Sequence, residues 1–182
     1  MATLIPNLVA TAMLGVGVPK LARGLGIGLS VWTPTISINT TDVGTVGTGK
    51  GLPVPIILAQ PLLYANLMAG MHAQKLIGVL APAFILGLTN GLVALYAQGF
   101  TNTVHAGVGT GAGVATFKPP PAFPPIRAGF AAVGMTNDVG TRLARALGRG
   151  LESTFMSLVL PQPIVGPSAP FAGSGRGFGN II

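Results

Sequence analysis

A five-residue glycine motif occurs three times in this chain, and its recurrence limits the folds open to it. The copies are Gly47-Thr48-Gly49-Lys50-Gly51, Gly109-Thr110-Gly111-Ala112-Gly113 and Gly173-Ser174-Gly175-Arg176-Gly177. Their starts lie 62 and 64 residues apart in a chain of 182. A fixed spacing of that size marks an internally repeated architecture. About sixty residues alone bury only a marginal core. The expectation is therefore one body, residues 1–182, with internal repeats over 1–51, 52–117 and 118–182.

Other landmarks recur in the same order. Each third opens with a proline followed nine residues later by a glycine: Pro6 and Gly15, Pro61 and Gly70, Pro125 and Gly134. Proline suits the first turn of a helix and glycine its far end, so three short apolar helices are expected. A second helical pattern follows, beginning Leu21-Ala22-Arg23-Gly24-Leu25, Leu88-Thr89-Asn90-Gly91-Leu92 and Leu143-Ala144-Arg145-Ala146-Leu147. These run on to Trp32, Phe100 and Phe155, which read as anchors in a shared core. Thr35 to Thr40 then alternates polar and apolar residues as a half-buried strand does. Thr101 to His105 and Leu158 to Val165 are weaker versions. The expected class is α+β: three quasi-equivalent repeats, each of short apolar helices, an extended segment and a Gly-rich loop. Gly47, Gly49, Gly51, Gly109, Gly111, Gly113, Gly173, Gly175 and Gly177 are the expected structural loop residues, because glycine admits positive φ and close backbone approach.

Charged residues make up 7% of the chain and hydrophobic ones 49%, against about a quarter charged in a typical domain. A monomer so composed exposes much apolar surface, and large patches mark partner surfaces. A membrane could provide the same cover. Leu76 to Gly99 runs 24 residues without a charge, long enough to cross a bilayer. Gly78, Pro82, Gly87, Asn90 and Gly91 interrupt it, and its counterparts in the other thirds carry Lys20 and Arg23, or Arg142, Arg145, Arg149 and Glu152. Such charges are costly in hydrocarbon. The stretch is therefore expected to form two helices meeting near Gly87, buried by protein. Met1 to Pro6 has no basic n-region, so the start of the chain is a poor match to a signal peptide. With no cysteine, disulfides and thiolate metal sites are excluded.

Gly44 to Lys50 has the spacing of a phosphate-binding loop, but Gly51 stands where a Ser or Thr should hold magnesium. Ala112 and Arg176 replace the lysine in the other copies, so no nucleotide site is expected at Lys50. His72 and His105 are the two histidines, and Asp42, Asp138 and Glu152 the three acids. A hydrolytic or metal site needs several such groups to converge. Asp138 reads as a helix N-cap and Asp42 as a turn residue, and Ser153 and Ser157 have no neighbouring base. No enzyme activity, metal, cofactor or small-molecule substrate is expected. Arg142, Arg145 and Arg149 fall on one helix face, partly offset by Glu152, within a net charge of +7. This face could bind a partner. Nucleic acid is less favoured than a solvated helix face or a rim that meets an acidic partner, because a basic stripe alone carries no base readout.

The Pro-led helices, the Gly-Thr-Gly segments, and a tail of Pro163-Ile164-Val165-Gly166-Pro167 ending in Gly175-Arg176-Gly177-Phe178-Gly179 resemble small, repetitive, Gly-rich virion proteins of tailed bacteriophages. The resemblance implies a non-enzymatic structural role in a particle assembled in the host cytoplasm. The chain would sit in many copies around a symmetry axis of a tail, baseplate or capsid, contacting itself and other virion proteins. The alternatives are a small integral membrane protein and a nucleic-acid-binding internal virion protein.

Overall fold

The computed structural model describes the backbone of residues 17–32, 37–45, 47–51, 58–98, 100–107, 112–118, 120–155, 159–162 and 173–180, and the side chains of 17–31, 58–98 and 120–152. The described residues include five helices: α1 (Gly17–Trp32), α2 (Gln60–Ala73), α3 (Ala81–Gln98), α4 (Phe123–Ala132) and α5 (Asp138–Phe155).

Local chemistry sets their limits. Prolines stand in the first turns of α2 and α4, where the missing N–H removes no helical bond. α2 then buries Leu63, Leu67, Gly70 and Met71, the spacing of a single helix face. Asn137 starts α5: its Oδ1 accepts the Gly140 N–H at 2.9 Å. The sequence assigned that cap to Asp138, which lies inside the first turn and pairs with Arg142. A carboxylate in the first turn still suits the helix dipole.

α2 and α4 end alike. The residue two beyond each last helical residue has positive φ: Lys75 at 58° and Gly134 at 81°. The Leu76 N–H then bonds to Met71 O at 3.0 Å, and the Met135 N–H to Phe130 O at 2.9 Å. This is the left-handed stop that glycine makes without strain. Lys75 makes it with a Cβ, at a cost of about 1–2 kcal/mol. Lys75→Gly is therefore expected to raise stability by about 1 kcal/mol, and Gly134→Ala to lower it by a similar amount. Denaturant midpoints of the two variants against the parent check this pair.

The helices pack as α1 on α2, α3 on α4, α4 on α5 and α2 on α3. Two of these pairs share one seam. Gly24 and Gly28 of α1 lie against Gly70 of α2, and Gly87 and Gly91 of α3 lie against Gly129 of α4. A Cβ at Gly28 would sit 2.7 Å from the Leu67 Cα, and one at Gly91 2.6 Å from the Ile126 Cα. At both seams, backbone therefore meets backbone. The surrounding core includes the buried side chains Leu25, Leu63, Leu67, Ile85, Leu92, Ile126, Phe130 and Leu147. The Thr89 hydroxyl is buried among them without a hydrogen-bond partner among the described residues.

Three expectations are corrected here. The class is the first. The packed body of described residues is all-α rather than α+β: helices and their connections make it, and every described core side chain belongs to them. Outside it, only backbone pairing is described. The strands β1 (Ser37–Thr45), β2 (Gly47–Gly51), β3 (Phe100–Gly107), β4 (Ala112–Lys118), β5 (Val159–Gln162) and β6 (Gly173–Asn180) pair antiparallel in the order β5-β4-β3-β2-β1-β6.

The second correction concerns Leu76 to Gly99. It does not break at Gly87: α3 runs unbroken through Gly87 and Gly91. Pro82 sits in its first turn, where it is harmless. The third concerns register. The partner of Gly70 is Gly129 and not Gly134, so the matching prolines are Pro61 and Pro120. Gly24 likewise matches Gly87, one turn before Gly91. Side chains of the proposed anchors Trp32, Phe100 and Phe155 lie outside the described residues.

Candidate functional site: an apolar hollow between three helices

Seven of the nine expected loop glycines fall among the described residues, in extended backbone. Gly47, Gly49 and Gly51 lie in β2, Gly113 in β4, and Gly173, Gly175 and Gly177 in β6. Gly109 and Gly111 fall outside the described residues. Lys50 pairs with Val43 on one side and Val104 on the other. A phosphate-binding loop needs a turn opening onto a helix N-terminus, and an extended strand with both edges paired provides neither.

The basic face is partly engaged. Arg142 is paired with Asp138, but both are well exposed, so the pair adds little stability. The Arg145 guanidinium lies over the Phe123 ring at 5.5 Å, a cation–π contact across α5 and α4. Arg149 is exposed. Glu152 has a further contact. Its Oε1 accepts the Ala122 N–H at 2.6 Å, placing a carboxylate at the start of α4, where it complements the helix dipole. His72 is exposed on α2, while the side chains of His105, Asp42, Ser153 and Ser157 lie outside the described residues. No group of three His, Asp or Glu that could hold a metal is found among the described residues.

What the fold does assemble is an open apolar hollow of about 280 Å³. Leu21 of α1, Phe84 of α3 and Leu143 of α5 converge on it, with Met71, Leu76 and Met135 from the helix ends. Leu21 and Phe84 each lie three residues before the first glycine of a seam, Gly24 or Gly87. Leu143 lies three residues before Ala146. The hollow thus draws one matching side chain from each sequence third. Leu80, one of its lining residues, is 79% exposed, and Ile77 and Val79 next to the lining residues Leu76, Gly78 and Leu80 are 66% and 97% exposed. The described lining residues are all apolar or glycine. The hollow can accept an apolar group.

Arg127 supports this lining. Its guanidinium donates to Met135 O at 3.2 Å and to Thr136 O at 2.9 Å, fixing the α4–α5 connection that presents Met135. Neither Arg127 nor the residues lining the hollow stand out in the sequence. A signal for the hollow is present, because Gly24-Leu25, Gly87-Leu88 and Ala146-Leu147 are each followed, four residues after the first, by Gly28-Leu29, Gly91-Leu92 and Gly150-Leu151. Reading three residues back from each gives Leu21, Phe84 and Leu143. The chain matches no protein-family model, no curated protein and no solved structure.

Proposed function

We propose that this protein is a non-enzymatic structural component of a bacteriophage virion, present in several copies around a symmetry axis in a tail, baseplate or capsid-associated position. The observation that carries the reading is the exposed apolar run of Ile77, Val79 and Leu80 beside a hollow built from all three thirds of the chain. An exposed apolar surface of this kind marks a place where another protein sits. Symmetric assembly covers such surfaces with copies of the same chain or with neighbours on the axis. The resemblance to Gly-rich virion proteins of tailed phages supports the same setting. The exposed Arg149 leaves room for an acidic partner.

A membrane protein is the second reading, favoured by one feature. α3 is long and apolar enough to cross a bilayer, with half of that window buried inside the body, and Gly-x3-Gly seams are common where helices pack in lipid. Fractionation separates the two. Purified particles washed with non-ionic detergent are expected to retain the chain at a fixed ratio to the major coat protein, measured by quantitative peptide mass spectrometry. Recovery in the detergent extract of host membranes, with none in washed particles, would overturn the virion reading.

A further inference from the structure

We propose that the end of the helical body around the apolar hollow docks on an anionic phospholipid bilayer, with Ile77, Val79 and Leu80 entering the headgroup region. This goes beyond the assembly reading, because it concerns the free chain, before any neighbour covers that end. The hollow marks one end of the body: its lining includes Leu21, Ala81 and Leu143 near the starts of α1, α3 and α5, and Met71 and Met135 near the ends of α2 and α4. The connection from α2 to α3 supplies the exposed run of Ile77, Val79 and Leu80. Three aliphatic side chains left side by side in water are a favourable load to transfer into an apolar phase.

Cations stand around the same end. In three places the residue just before a lining leucine is basic: Lys20 before Leu21, Lys75 before Leu76 and Arg142 before Leu143. Lys20 and Lys75 are exposed, and neither is paired among the described residues. Arg142 is paired with Asp138. Glu152, the other acid whose side chain is described, lies near the far end of α5, bonded to Ala122. The described charges at this end therefore sum to a positive value.

Charge selects the occupant. Two copies meeting end to end would set Lys20 and Lys75 against a surface of their own sign, which is repulsive. The chain has ten basic residues against three acids, so another copy is a poor source of carboxylates. The lining residues are all apolar or glycine, so no side chain among them fixes a protein segment by hydrogen bonding. A fluid bilayer needs no such fixing. An anionic leaflet offers acyl chains to the apolar run and phosphates to the lysines, the pairing of shallow interfacial insertion. No helix crosses the bilayer in this arrangement.

The chain has no cysteine, so Val79→Cys can carry a single environment-sensitive fluorophore. Ser30→Cys, exposed on α1 and about 13 Å along the helix axis from Leu21, carries it as the control. The purified chains are titrated with vesicles of equal parts phosphatidylglycerol and phosphatidylcholine, and with vesicles of phosphatidylcholine alone. Emission at position 79 is expected to rise and shift to the blue on the anionic vesicles, with position 30 unchanged, and high salt is expected to reverse the change. Lys20→Glu in the Val79→Cys chain should weaken binding on the order of tenfold, with circular dichroism unchanged. No response at position 79 would leave the run to a protein neighbour and overturn the proposal. An equal response on phosphatidylcholine alone would overturn it too, as would a response that high salt cannot reverse, the mark of an integral protein. The particle reading is tested separately, by the detergent-wash fractionation.

Discussion

Gly129→Ala is expected to lower stability by about 1–3 kcal/mol, even though alanine favours a helix by about 1 kcal/mol over glycine. The opposite signs make the result diagnostic. A methyl group at Gly129 would fall inside the contact distance of the Gly87 carbonyl oxygen, and would also meet the Gly91 backbone. Neither neighbour is a side chain that could rotate away, so α3 and α4 would have to separate along their length. That movement would also loosen the Phe84 and Phe130 rings, whose centroids are 5.5 Å apart. Gly70→Ala should behave alike, because its methyl would collide with the carbonyl of Gly24. Gly17 has open space around its position, so Gly17→Ala should show no such loss. Thermal midpoints of the three variants provide the measurement, at roughly 2–4 °C per kcal/mol for a chain of this size. A Gly129→Ala protein as stable as the parent would mean that the α3–α4 seam is not as close as described.

Leu88→Arg is expected to cost about 3–5 kcal/mol, the scale of an uncompensated buried charge, enough to leave little folded protein given ordinary margins. Leu88 is 2% exposed, between Gly87 and the core side chains Ile85 and Leu92. No described acid lies in that cluster to pair with the new guanidinium. Val79→Arg is the contrasting variant. Val79, between the lining residues Gly78 and Leu80, is 97% exposed, so the isolated chain should keep its stability. Its loss should appear in incorporation into particles, since an arginine would stand where a partner needs apolar contact. Circular dichroism and urea midpoints separate the two effects. A stable Leu88→Arg chain would show that α3 is covered by a partner and not by its own fold.

The sequence alone was informative wherever structure depends on neighbours along the chain. Prolines in the first turns of α2 and α4, the glycine stop at Gly134 and the amphipathic run of α5 follow from residue types and spacing. A helix end is a local matter of unpaired N–H and C=O groups and backbone φ. Even locally there were slips of one residue, as at Asn137 and Asp138, because both side chains can cap and only geometry selects one.

Tertiary structure decided what glycine does. Gly87 and Gly91 look like breaks in a helix when read in sequence, since each costs helix stability on its own. Against Gly129 they are where two backbones touch, and the packing gained across the seam outweighs the local cost. The repeat register moved for the same reason: Gly129 and Gly134 are both plausible partners for Gly70 by spacing, but only Gly129 faces a neighbouring helix. Gly47-Thr48-Gly49 reads as a loop because glycine permits turns; its backbone also pairs with β3, more than fifty residues on, a pairing no local signal records. The hollow lies furthest from the sequence. Leu21, Phe84 and Leu143 are ordinary apolar residues more than fifty positions apart, and only the packing of α1, α3 and α5 places them around one space.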